Sequence, residues 1–340
     1  MKKPNLSIHD IAALTGYSIA TVSRALNGKK NGNMKEDTYR KIIEVVQESG
    51  YVPNQLSAGF RSGVTKIIGI ILPSNLNPYY ALLSNQIERQ AFNYGYLTYV
   101  CNSEYDVKKE IAYIRHLQAQ KVSMIFLCSS GLSRAEIEEF DNNEKKIVLL
   151  DEEVKNYSGY SIVINDYLGG LLGTEYLISR NITDILFITG PKWLCSTRER
   201  LRGAARALIN AGKEMQKENI LYGDYSINTG KDLMENVLKT KGLSFSAIFC
   251  FSDFMAMGVY EVLKSNGISI PEKVSIMGYD NIFFDELLNP GITTVATPVE
   301  EIAEIAFKLI MNKNDYNDKR KMVVNPYIIE RESIMPMARL

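Results

Sequence analysis

The chain has 340 residues, 46% of them hydrophobic, with 39 Lys and Arg against 39 Asp and Glu. At about 100–200 residues per domain, that length allows two or three domains with real cores. Zero net charge excludes a uniformly basic DNA coat, and no apolar run reaches the roughly 18 residues of a membrane span.

The opening Met1-Lys2-Lys3-Pro4 has no apolar core behind it, so no signal peptide and a cytoplasmic location are expected. Cys101, Cys128, Cys195 and Cys250 form no C-x-x-C pair and read as free thiols in a reducing compartment. Two histidines, His9 and His116, are too few and too separated for a metal cage, and neither metal nor cofactor is expected.

Charge is uneven along the chain. Residues 1–65 hold nine basic and five acidic side chains, so a positive head precedes a negative body. A positive head attracts a polyanion in a salt-dependent way. Within it, Ser7 is placed to cap a helix from Ile8 to Leu14, with Ile11, Ala12 and Leu14 inward. Gly16 sits in a turn, and Ser18 caps a second helix from Ile19 to Leu26 with Val22, Ala25 and Leu26 inward. A third helix is expected from about Lys35 to Glu48. Two short helices joined by a tight glycine turn, propped by a third, make a helix-turn-helix. The second helix of such a unit enters the major groove. Its outward residues are Ile19, Ala20, Thr21, Ser23 and Arg24. Arg24 can fork onto guanine or clamp a phosphate; Thr21 and Ser23 can reach phosphate oxygens; Ile19 and Ala20 suit thymine methyls.

From residue 66 onward, strand and helix patterns alternate. Strands are predicted at Lys66–Leu72, Leu97–Asn102, Met124–Cys128, Ile147–Leu150, Ser161–Ile164, Asp184–Thr189, Ala247–Phe251, Val274–Met277 and Thr293–Ala296. They are short and nearly continuously apolar, as in parallel strands buried on both faces. Helical spacing joins Tyr80, Leu83, Ile87 and Ala91; Leu201, Ala204, Ala205 and Leu208; and Ile302, Ile305, Ala306 and Leu309. The fold class is therefore an N-terminal all-α helix-turn-helix domain followed by a two-lobed α/β domain with doubly wound parallel sheets. The domains are 1–50, a hinge at 51–65, and 66–340.

In open α/β sheets, ligands bind beyond the carboxyl ends of the strands. The side chains there are Asn75, Tyr79, Asp151, Asn165, Asp166, the loop from Trp193 to Arg200, Tyr225, Ser252, Asp253, Asp280 and Asn281. A sugar-like ligand needs bidentate partners for vicinal hydroxyls and an aromatic face. Arg200, Asp280 and Tyr225 supply these, with Trp193 as an extra stacking surface. The candidate effector set is Asn75, Tyr79, Asp151, Trp193, Arg200, Tyr225, Ser252 and Asp280. Asp253 is expected to cap the helix Phe254–Ser265.

The segments Ser7-Ile8-His9-Asp10-Ile11-Ala12, Thr15-Gly16-Tyr17-Ser18, Thr21-Val22-Ser23-Arg24-Ala25-Leu26-Asn27-Gly28 and Gly50-Tyr51-Val52-Pro53-Asn54 resemble the opening of LacI/GalR bacterial repressors. The resemblance continues through Arg198-x-Arg200-x-x-Gly203, Ser252-Asp253-x-x-Ala256-x-Gly258, Val274 to Asn281, and Glu330-Arg331-Glu332-Ser333. It implies a periplasmic-binding-protein-like body whose chain crosses between lobes near Asn165, Ala296 and Val324. The lobes would then be about 66–164 with 297–323, and 165–296 with 324–340. It also implies effector contacts from Arg200 and Asp280, and a hinge helix entering the minor groove. The matching stretch Ser57-Ala58-Gly59-Phe60 departs from the family's Ala-Arg-x-Leu, with Phe60 at the wedge position. The expected DNA-facing set is Ser7, Ser18, Ile19, Ala20, Thr21, Ser23, Arg24, Asn27, Tyr51, Asn54, Ser57 and Phe60.

These residues imply a homodimeric, nucleoid-associated repressor on a pseudo-palindromic operator of double-stranded DNA, switched by a sugar-like small molecule. Enzyme function is not expected: G-x-G-x-x-G after the first strand, G-x-x-x-x-G-K-[ST] and G-x-S-x-G are all absent. A solute-binding protein would share the body but not the positive helical head.

Overall fold

The computed structural model describes residues 6–26, 34–51, 65–129, 131–141, 147–311 and 320–335. They divide between Thr65 and Lys66 into two compact units.

In the first unit, α1 (Ile8–Thr15) begins with a capping box. The Ser7 N–H and hydroxyl donate to Asp10 Oδ2 at 2.7 and 2.8 Å, and the Asp10 N–H donates back to Ser7 Oγ at 3.4 Å. The backbone bond from Ser7 holds the Asp10 carboxyl below its usual range. Gly16, at φ 75, closes the helix in the left-handed conformation. The Thr21 N–H donates to Ser18 Oγ at 3.2 Å and starts α2 (Ile19–Leu26). Helix α3 (Glu36–Ser49) ends at Gly50, φ 67. Ile11, Val22, Ala25 and Ile42 form the core, ringed by Tyr17, Tyr39, Val45, Val46 and Tyr51. Leu14 is 60% exposed, and Thr15 takes the expected inward place, its hydroxyl donating to the Ile11 carbonyl at 2.8 Å. The helical stripe runs 8, 11, 12, 15, so position 14 falls outside it.

The second unit holds two six-stranded sheets. The strands of the first are β1 (Ile67–Leu72), β2 (Leu97–Asn102), β3 (Met124–Leu127), β4 (Ile147–Asp151), β5 (Tyr160–Ile164) and β11 (Lys321–Val324). They lie in the order β11-β5-β4-β3-β1-β2, all parallel. Those of the second are β6 (Ile185–Thr189), β7 (Ile220–Tyr222), β8 (Ala247–Cys250), β9 (Ser275–Asp280), β10 (Thr293–Ala296) and β12 (Tyr327–Ile329). Their order is β12-β10-β9-β8-β6-β7, with only β12 antiparallel. The chain passes between sheets after Ile164, Ala296 and Val324. Each sheet reverses strand order once, between β1 and β3 and between β6 and β8, and such a switch opens a crevice.

The helices are α4 (Pro78–Asn93), α5 (Val107–Ala119), α6 (Arg134–Asp141), α7 (Asp166–Ile178), α8 (Cys195–Asn210), α9 (Ile227–Thr240), α10 (Asp253–Ser265) and α11 (Val299–Met311). Continuous apolar character predicts burial on both faces for every strand, yet β2 shows Leu97, Tyr99 and Val100 to solvent. It lies at the margin of its sheet, with a neighbouring strand on one side only. Asp253 does not cap α10. Ser252 does, accepting the Phe254 N–H at 3.1 Å, while Asp253 accepts from the Thr294 hydroxyl at 2.8 Å and the Ile282 N–H at 3.2 Å.

Helices α7 and α8 touch backbone to backbone. A Cβ on Gly170 would meet the Arg200 carbonyl, and one on Gly203 the Tyr167 carbonyl. Gly203→Ala should therefore destabilise the protein by about 1–3 kcal/mol, because rigid backbone cannot yield as a side chain can. An unchanged urea midpoint would show that the two helices can part freely.

Candidate ligand cleft and DNA-facing helix

Side chains from both lobes converge beyond the carboxyl ends of the strands. Asn77, Tyr79 and Tyr80 follow β1; Asp151 ends β4 and Glu152 follows; Ser196 and Arg200 lie on α8; Tyr225 follows β7; Asp280 ends β9. Between them lies a half-open cleft, about 290 Å³ when the adjoining open solvent is counted. All nine are buried. Asp151, Tyr225 and Asp280 have φ of 71, 66 and 113. Side chains held in this sparsely populated region by surrounding structure concentrate at functional sites.

Hydrogen bonds fix the lining. The Tyr79 and Tyr80 hydroxyls donate to the two oxygens of Asp151 at 2.8 and 3.2 Å. Arg200 donates from Nε to Asp166 Oδ1 at 2.7 Å and from Nη1 to the Phe251 carbonyl at 2.6 Å, with its guanidinium 3.6 Å from the centre of the Tyr279 ring. The pair with Asp166 compensates a charge that burial would otherwise suppress. Glu152, from the first lobe, accepts the N–H groups of Cys195 (3.1 Å) and Ser196 (3.3 Å) and the Ser196 hydroxyl, at the N-terminus of α8 in the second. The Tyr225 hydroxyl meets the Thr197 hydroxyl at 3.1 Å. A Cβ on Gly190 would strike the Tyr225 ring, so glycine there is what lets the ring lie flat on the backbone. The Asp280 carboxylate, only 7% exposed, has no hydrogen-bond partner among the described residues.

Burial raises the carboxyl pKa values of this cluster. Glu152 is pushed to about 7 by burial and by the charges of Asp151 and Asp166. Asp166 is pushed to about 6 by burial, against the pull of Arg200. Asp280 is driven well up by burial, again opposed by Arg200. Raised carboxyls bind protons more tightly in the folded state than in the unfolded one. The stability they allow is complete below the ordinary carboxylate range and declines as pH rises through about 6 and about 7. The melting temperature of the ligand-free protein should accordingly fall over that window, and Glu152→Gln should flatten the upper part. A rise in melting temperature over the window would contradict this.

Of the sequence-derived candidates, Tyr79, Asp151, Arg200, Tyr225 and Asp280 come together. Asn75 is exposed and accepts from Asn102 Nδ2 at 3.2 Å; Trp193 is 69% exposed; Ser252 spends its hydroxyl capping α10. Asn77, Tyr80, Glu152 and Ser196 line the cleft without having been singled out. Glu152 and Tyr80 each adjoin a chosen residue, and Ser196 lay within a flagged loop that is in fact the first turn of α8.

On the helical unit, Ser7, Ser18, Ala20 and Arg24 are exposed, and Ile19, Thr21 and Ser23 are half-buried. Tyr51 packs against the core. Asn27, Asn54, Ser57 and Phe60 lie outside the described residues.

Known proteins share both parts. The chain is 28% identical over 331 residues to the HTH-type transcriptional repressor PurR of Aliivibrio salmonicida (strain LFI1238), spanning 96% of this chain and 98% of that protein. The crystal structure of the lac repressor dimer bound to operator and the anti-inducer ONPF matches with TM-score 0.85 at 20% identity, covering 97% of this chain and 99% of that one. A CelR–cellobiose complex of a transcriptional regulator matches with TM-score 0.70 at 24% identity, covering 96% and 99%. At those identities the two structures speak for the fold alone. No helix among the described residues is long and apolar enough to cross a membrane. Residues 7–54 match the family described as bacterial regulatory proteins, lacI family, and residues 65–330 that described as periplasmic binding proteins and sugar binding domain of LacI family. The chain belongs to the LacI family of bacterial transcriptional regulators.

Proposed function

We propose that this protein is a cytoplasmic, nucleoid-associated repressor that binds a pseudo-palindromic operator as a homodimer and is switched by a sugar-like effector. The observation that carries the reading is the convergence of buried polar side chains from both lobes on one cleft beyond the carboxyl ends of the strands. A helix-turn-helix with an exposed arginine precedes it on the same chain. Ser7, Ser18, Ile19, Ala20, Thr21, Ser23 and Arg24 face the duplex in this account, joined by Asn27, Asn54, Ser57 and Phe60. Tyr51 supports the helices from within. Asp280, Asp151, Arg200, Tyr225 and Tyr79 hold the effector, joined by Asn77 and Tyr80. Asn75 and Trp193 lie outside that contact set, and Ser252 supports it as a helix cap. The relatives are repressors, which supports binding rather than catalysis as the role.

A second copy fits the margin of the first sheet, where β2 shows Leu97, Tyr99 and Val100 beside the exposed Phe92 of α4. An uncovered apolar sheet edge is a pairing surface unless another chain covers it. Effector binding biases closure of the lobes through differential affinity for the open and closed states.

The test is a gel shift of the full chain on promoter fragments against random duplex at fixed salt, with a thermal-shift screen of sugars. Preference for a fragment, altered by a stabilising compound, is the expected result. Equal retention of all duplexes, unaffected by any compound, would overturn the proposal.

A further inference from the structure

The cleft carries an excess of negative charge that the functional reading does not use. Asp151, Glu152 and Asp280 line it, and Arg200 is the one cation among the lining residues. That cation is already paired from behind with Asp166. Its single charge is therefore shared among Asp166, Asp151 and Asp280, and the lining keeps an excess of carboxylates over cations. Two of the lining carboxylates have occupations within the protein: Asp151 receives both tyrosine hydroxyls, and Glu152 receives the first turn of α8. Asp280 has none among the described residues, although it is more than nine-tenths buried and lines the cleft. A buried carboxylate without a donor is costly until something supplies one.

The position of Glu152 matters separately. The N-terminus of a helix, with free N–H groups and a positive dipole end, is where a ligand phosphate or carboxylate would ordinarily be held. Here α8 presents that end to the cleft, and the protein's own carboxylate fills it. An anionic ligand thus finds its best seat taken and three carboxylates around it.

We propose that the effector is a hydroxylated small molecule bearing a protonated amine, placed against Asp280, and that Glu152 is the specificity-determining residue that turns away phosphorylated or carboxylated analogues. The inference rests on the reading of this cleft as the effector site. The amine supplies the donors that Asp280 lacks and offsets part of the charge shared with Asp151. Because a cation favours the ionised carboxyls, its uptake releases protons, and its affinity should rise with pH while the amine stays charged. An anion would show the opposite trend.

The probes are matched triplets: D-glucose, D-glucosamine and D-glucose 6-phosphate, and the corresponding galactose compounds. Binding to the full chain is read by thermal shift and calorimetry near neutral pH. The expected order is a hexosamine about tenfold tighter than its neutral hexose, with no stabilisation by the phosphate ester. In Glu152→Ala the first turn of α8 is freed, and the phosphate ester should gain about tenfold while the hexosamine weakens. Glu152→Gln keeps the shape and an acceptor but removes the charge, and should move both in the same directions by less. It decides the matter if the alanine variant fails to fold. A phosphate ester bound by the wild type as tightly as the hexosamine overturns the proposal. So does equal behaviour across both triplets, absence of binding by all members included. A gel shift on the same preparations separates the two levels. Charge discrimination without operator binding would leave the cleft's selectivity standing and remove the repressor reading; operator binding without charge discrimination would do the reverse.

Discussion

Arg24→Ala should weaken operator binding by about 2–6 kcal/mol per dimer, roughly thirtyfold to twenty-thousandfold, since one good arginine contact is worth about 1–3 kcal/mol and a two-fold dimer makes it twice. Arg24 lies in the last turn of α2, exposed, while Val22 and Ala25 on the same helix are buried. Truncating it therefore removes a surface group and leaves the core of the helical unit untouched. The kind of contact can be read from the variant. If Arg24 forks onto a guanine, sequence preference at one position of each half-site relaxes and the salt dependence stays put. If it clamps a phosphate, affinity drops evenly across sequences and the salt slope falls by about one for each half-site. The thermal shift given by effector should persist in either case. Undiminished operator affinity at fixed salt would take Arg24 out of the interface.

Asp280→Asn should lower effector affinity by about 1.5–3 kcal/mol, roughly tenfold to a hundred-and-fiftyfold, the worth of a hydrogen bond to a charged group. The ligand-free protein should melt at the same temperature or higher. The second expectation follows from the geometry: the carboxylate is buried, unpartnered among the described residues, and held at φ 113 at the end of β9. Such a group costs stability in the ligand-free protein, as a desolvated charge or as the proton taken up to avoid one, and the amide removes that cost without changing the shape. Operator affinity without effector should stay near that of the wild type. A variant that melts earlier and still responds fully would make Asp280 a structural residue. Tyr279, its neighbour, lies under the Arg200 guanidinium in the core, so a deletion that disturbed the backbone there would be read as a stability loss.

The helical unit was legible because its signals are local. A capping serine, a left-handed glycine and an apolar stripe each act within a few residues, and Ile19–Leu26 appears with the ends that the sequence predicts. The central strands were legible for a related reason: burial on both faces writes an unbroken apolar run, as in Ile67–Leu72 and Met124–Leu127. The strands that were missed, β7, β11 and β12, all lie at sheet margins. Ile220–Tyr222, Tyr327–Ile329 and Lys321–Val324 are mostly apolar, but at three or four residues they are too short to show a strand's pattern.

The same division runs through the cleft. The rule that ligands sit beyond strand carboxyl ends was enough to find Asp151, Arg200, Tyr225 and Asp280 from order along the chain. It could not rank neighbours within a loop. Position in the loop points to Asn75, whereas Asn77, two residues on, caps α4, accepting the Tyr79 N–H at 3.0 Å, and lines the cleft. Nothing near Glu152 in sequence says that its partner is the first turn of α8, more than forty residues away. The amino-acid order alone established the two-part architecture, the reading helix and the strand ends from which a ligand site must be built, because propensity, capping and hydrophobic periodicity are short-range. Which carboxylate is neutralised, which is occupied by a helix end and which is left facing the cleft was settled only when the two sheets brought distant loops together, because charge pairing and desolvation depend on distance in space.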